Sequence, residues 1–141
     1  MLLNEFIKEA EKNQMIAAIL KDHKIRVRVV HKSIKDYAYY VLGKGVLEIS
    51  NKTGVIRNEK DFLVTVLHET WHAVQATKMG WKKLRDSYEL EIAHWQSKNP
   101  KDVDGWMRNK REAISYEKEA EKYAQKNWKK WHKQFKKEGL L

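Results

Sequence analysis

The 141-residue chain contains no cysteine. That excludes disulfide scaffolds, zinc ribbons and thiol nucleophiles, and it suits a reducing compartment. There is one proline, at position 100, and there are six glycines, too few for a Pro- or Gly-rich linker. No internal repeat or low-complexity segment is visible. No apolar run approaches the roughly 18 residues that a membrane span requires. The N-terminal stretch MLLNEFIKEAEKNQ turns charged at Glu5 and lacks the apolar core of a signal peptide. The expectation is a cytoplasmic protein without membrane association.

What is present points to a packed body. Apolar residues make up 42% of the chain and aromatics 11%, with six tryptophans, enough for a single domain over residues 1–141 with one modest core. The 29 Lys and Arg against 19 Asp and Glu leave a net charge of +10, which favours anionic partners. Lysine far outnumbers arginine and is spread through helical segments, so solvated helix faces account for most of the charge. Nucleic acid is the remaining candidate partner.

Hydrophobic periodicity orders the chain. Leu3, Phe6, Ile7, Ala10, Ile16, Ala17 and Leu20 recur at helical spacing over residues 2–21. IRVRVV (25–30), DYAYYVLG (36–43) and GVLEIS (45–50) read as strands of a small antiparallel sheet, with Gly43 and Gly45 bracketing a hairpin. Residues 59–79 form one helix, apolar nearly all round and ended by Gly80. A further helix is expected over 84–96, a loop over 97–105, and a long helix over about 107–136. The order of helix, small sheet, then an active-site helix and two further helices is an α+β domain.

The central helix carries the chemistry. In LVTVLHETWHAVQ (63–75), His68 and His72 are one turn apart and share a face, so both imidazoles can reach one zinc ion at about 2.0–2.1 Å. Glu69 follows the first histidine and is placed to act as general base. Two unpaired imidazoles and a carboxylate in an apolar helix would otherwise carry a desolvation cost. A water activated in this way is expected to attack a carbonyl carbon.

A third ligand must come from elsewhere, since position 78 is Lys. Trp106, Ala113, Ala120, Ala124, Trp128, Trp131 and Phe135 form one stripe on the last helix, and Glu117 falls in its middle, whereas Glu112 and Glu119 point away as solvated charges. Glu121, one turn later, can accept a hydrogen bond from the far nitrogen of His68 or His72, or can pair with a surface lysine. Glu91 stays open as an alternative third ligand, being central in the stripe of Leu84, Tyr88, Ile92 and Trp95, and His94 lies nearby. Tyr40, Tyr88 and Tyr116 are candidates for steadying an oxyanion but read more simply as packing. Trp128, Trp131 and His132 read as the seam of the last helix rather than as base-stacking groups. His23 and His31 read as surface positions.

With HETWH and the later segment YEKEAEKYA (116–124) in view, the chain resembles the gluzincins. These are HExxH zinc peptidases whose third ligand is a glutamate on a later helix. It is most similar to their minimal members, including the ImmA/IrrE-like peptidases. Glu117 is followed by Ala120, by Glu121 where Asn is usual, and by Tyr123-Ala124. The resemblance covers about residues 45–125. It implies a zincin-like fold, His68, His72 and Glu117 as zinc ligands, Glu69 as base, and an extended substrate along the edge of the strand Val46–Ser50. The competing expectation is a basic nucleic-acid-associated or partner-binding protein on a catalytically silent scaffold.

Overall fold

The computed structural model describes residues 7–141; the expected helix positions Leu3 and Phe6 lie outside the described residues. The elements are α1 (Glu9–Asp22), β1 (Arg28–Lys32), β2 (Ala38–Val41), β3 (Val46–Ser50), α2 (Glu59–Met79), α3 (Trp81–Lys98), a 3-10 turn (Gly105–Met107), α4 (Lys110–Ala113) and α5 (Ser115–Lys137). This is the α+β layout expected from the periodicity. Among the described residues no helix is long and apolar enough to cross a membrane.

The sheet differs from the expected antiparallel one: it is mixed, in the order β1-β3-β2. The hairpin forms as read, with Tyr40 opposite Leu47 and Val41 opposite Val46. β1, however, pairs parallel to β3, with Arg28 opposite Val46 and Lys32 opposite Ser50. Burial explains the order. In β3, Leu47, Ile49 and Ser50 are each 1% exposed, so this strand gains most from neighbours on both sides. β1 carries exposed charges at both ends and β2 carries the exposed Tyr39, features suited to an edge. The expectation that Val46–Ser50 offers an edge to a substrate is therefore overturned, because both its sides are taken. The free edge beside α2 belongs to β2.

α2 has the expected bounds. The Asn58 side chain accepts from the Asp61 amide at 2.8 Å, capping the first turn. Gly80 ends the helix at φ +84°, a conformation that costs other residues a Cβ clash. Phe62, Leu63, Val66 and Leu67 face the core with Met15, Ile16 and Ile19 of α1, Leu47 and Ile49 of β3, and Trp131 and Phe135 of α5. On α5, Ala120 and Ala124 are fully buried, and their short side chains let this helix approach α2 closely.

The last helix is shorter than expected. Trp106 sits in the 3-10 turn, Ala113 in α4, and Ile114 breaks the run with an extended backbone (φ −124°, ψ 113°). Ile114 is β-branched and 1% exposed, so its packing favours the break over continued helix. The Ser115 amide then needs an acceptor, and Glu91 Oε2 of α3 supplies it at 2.9 Å. Glu91 is thus spent on capping α5. Glu91→Ala should destabilise the fold by about 1 kcal/mol, the usual worth of a helix cap, in urea titrations, with metal content unchanged.

Candidate metal centre

α2 and α5 together build the site. Helical phase aims His68 and His72 at α5, and the close approach allowed by Ala120 and Ala124 brings Glu117 onto both. His68 Nε2 lies 3.0 Å from Glu117 Oε2, His72 Nε2 3.2 Å from Glu117 Oε1, and the two Nε2 atoms 3.1 Å apart. Three donor atoms therefore form a triangle with edges of 3.0–3.2 Å. A tetrahedral ion with bonds of about 2.0–2.1 Å needs ligand atoms about 3.3 Å apart. The donor set, two imidazoles and a carboxylate, suits zinc. His68, Glu69 and His72 also bring ligand atoms within 4.8 Å of one another.

Each imidazole is held from behind. His68 Nδ1 donates to Glu121 Oε2 at 3.0 Å, and Glu121 is itself braced by Arg111 at 3.1 Å and Gln125 at 3.0 Å. His72 Nδ1 donates to Gln75 Oε1 at 2.9 Å. The Gln75 amide is in turn fixed by donating to the Tyr116 carbonyl at 3.0 Å. Both rings are thereby set with Nε2 toward Glu117, as a metal-ligating histidine requires. Sequence reading passed over Gln75; the available signal was a single amide, now 4% exposed, three residues after His72 in an otherwise apolar helix. Gln75→Leu should lower zinc affinity about 10–100-fold, read by competition with a chromogenic chelator. An unchanged affinity would show that the His72 orientation does not depend on this amide.

The other sequence candidates fall into place around this centre. Glu119 is not a free solvated charge, because its Oε1 accepts from Trp71 Nε1 at 2.6 Å and ties α5 to α2. Glu112 and His94 are exposed. Tyr88 of α3 reaches the centre, with its hydroxyl 3.2 Å from His72 Nδ1 and donating to Glu117 Oε1 at 3.4 Å, while its ring stacks on Tyr116. Trp131 is buried, and Trp128 is half-buried with Lys60 over its ring. His23 and His31 are half-buried rather than on the surface: His23 Nδ1 donates to the Ile19 carbonyl, and His31 bonds Asn13 of α1.

The electrostatics follow from the crowding. Burial lowers the His68 pKa, but hydrogen bonds to Glu117 and Glu121 outweigh it and hold it up at about 9. His72 is raised on balance for the same reason, with Glu117 and Glu69 overcoming desolvation. Glu117 is driven well below the carboxylate range, since its two histidine partners overcome its burial. Glu121 falls to about 2, chiefly through His68. Glu69 moves the other way: burial raises its pKa, against the pull of both histidines. A carboxylate with a raised pKa between imidazoles is suited to accept and return a proton.

A cleft of about 300 Å³ opens over these groups. Ala38, Tyr39 and Tyr40 of β2 form one wall, Leu84 and Tyr88 of α3 another, and Lys110 of α4 lies at the rim. The Tyr40 amide donates out of the sheet to Glu69 Oε2 at 2.9 Å. By the alternation of an antiparallel ladder, the backbone of Ala38 also faces outward, along the same edge. No protein-family model, curated protein or solved structure matches the chain.

Proposed function

We propose that this chain is a zinc-dependent metallopeptidase of the gluzincin kind, acting in the cytoplasm on peptide or protein substrates. The observation that carries this reading is the convergence of His68 Nε2, His72 Nε2 and the Glu117 carboxylate within 3.0–3.2 Å, with Glu69 beside them on the floor of a cleft. Zinc bound there would act as a Lewis acid and lower the pKa of a bound water to about 7. His68, His72 and Glu117 would hold the ion, and Glu121, Gln75 and Tyr88 would keep those ligands in place.

Glu69 is the general base. Its carboxylate removes a proton from the attacking water as the water oxygen adds to the peptide carbonyl carbon, then returns that proton to the departing amine as the C–N bond breaks. The Tyr40 amide fixes one carboxylate oxygen, and Glu69 lines the cleft. An extended substrate would lie against β2, pairing with the outward backbone at Ala38, while the walls from α3 limit the side chains admitted. The test is to incubate the zinc-loaded chain with a proteome-derived peptide mixture and map new termini by mass spectrometry. Cleavage abolished by a zinc chelator and by Glu69→Gln is expected. Cleavage indifferent to Glu69 would sink this assignment.

A further inference from the structure

We propose that the outer face of α5 binds the phosphate backbone of duplex nucleic acid, independently of the metal centre. Lys118, Lys122, Lys126, Lys129, Lys133 and Lys137 are all exposed. Together with Lys130 and Lys136 they occupy an arc of about 120° when α5 is wound at 3.6 residues per turn. From Lys118 to Lys137 this face runs about 28 Å. The opposite face holds Ala120, Ala124, Trp131 and Phe135, which are buried in the domain.

Three observations separate this face from an ordinary solvated one. First, Lys122–Lys137 contains no Asp or Glu, so lysines follow one another at i+3 and i+4 without the opposite charges that stabilise exposed helices. That repulsion is relieved when a polyanion lies along the helix. Second, internal partners are few: Lys136 pairs with Glu59 at 3.3 Å, and Lys129 and Lys130 lie over the Trp128 and Trp131 rings. Glu119, the acid on the arc, sits at its N-terminal end and holds Trp71. Third, the apolar stripe of α5 is already buried and the lysine arc holds no apolar side chain. A helix that enters a lipid interface needs an exposed apolar face, so this geometry favours phosphates over a membrane. Lysines act there as point charges, and the contact carries no base specificity.

The experiment is fluorescence anisotropy with a labelled mixed-sequence DNA duplex at several salt concentrations. It compares the wild-type chain with a variant in which Lys118, Lys122, Lys126 and Lys133 are changed together to Gln, a good helix former. With about five lysines on phosphates, log affinity should fall against log salt with a slope of about −5, or roughly 10³-fold between 50 and 200 mM. The variant should bind at least tenfold more weakly with a slope near −1, its circular dichroism and elution volume unchanged. Phosphatidylserine vesicles are titrated in parallel. Failure of the wild-type chain to bind duplex at low salt overturns the proposal, as does uptake by vesicles alone. A variant that binds as tightly as wild type also overturns it, moving attention to the basic groove of Lys21, Lys24, Arg26 and Arg28. None of these outcomes depends on peptidase activity.

Discussion

Glu69→Gln should reduce peptide hydrolysis by roughly 10²–10⁴-fold, the range that a positioned general base supplies, and leave zinc content unchanged. The substitution keeps the size of the side chain and an oxygen for the Tyr40 amide, which now donates to Glu69 Oε2 at 2.9 Å, so the cleft wall is preserved. What is lost is the carboxylate that takes the proton in the proposed reaction. The loss should appear in kcat/KM with a synthetic peptide, while zinc per chain from elemental analysis stays at the wild-type value. A variant with full activity would remove Glu69 from the reaction, and one that loses zinc as well would show that the side chain supports the centre instead.

The second large effect concerns Glu117. Its carboxylate bridges the two histidines at 3.0 and 3.2 Å, and Glu117→Ala leaves two protein ligands, too few for a hydrolytic zinc site. Zinc retained through gel filtration should fall from about one per chain to near zero, a larger loss than the roughly 10–100-fold expected from outer partners. Glu91→Ala is the control, since Glu91 accepts from the Ser115 amide, and it should keep its zinc. Loss in Glu91→Ala with retention in Glu117→Ala would reverse the assignment. The affinity should also depend on pH in a defined sense. His68 holds its proton up to about 9 and must give it up to ligate. Zinc affinity should therefore rise with pH toward about 9, roughly tenfold per unit for each proton released, and level off above. On the acid side Glu117 is already ionised because its pKa is depressed, so protonation of the histidines, not of this carboxylate, weakens binding first.

The candidate site was legible in sequence to different depths. His68 and His72 are four apart within one helix, so their shared face follows from backbone geometry alone, and α2 has the bounds its periodicity indicated. Glu117 stands out because a helix stripe is a local property: a carboxylate inside an apolar stripe must meet something across the interface, whereas Glu121, one turn later, stays open in sequence between a histidine and a surface lysine. Gln75 was harder, because an amide in a buried helix has many partners open to it, and only the packing of α5 makes it the acceptor for His72. Glu91 satisfied the same stripe criterion as Glu117. What divides them is the break at Ile114, which presents the Ser115 amide to Glu91.

The sequence by itself determined the order of elements, the hairpin of β2 and β3 and the stop at Gly80, because each depends on neighbours a few residues apart. The parallel pairing of β1 with β3 and the exposure of β2 to the cleft were decided only in three dimensions. The pairing of Glu117 with both histidines and the use of Glu91 as a cap belong with them. Each joins segments far apart in the chain, and each is selected by which surfaces are buried together, a quantity no local period encodes.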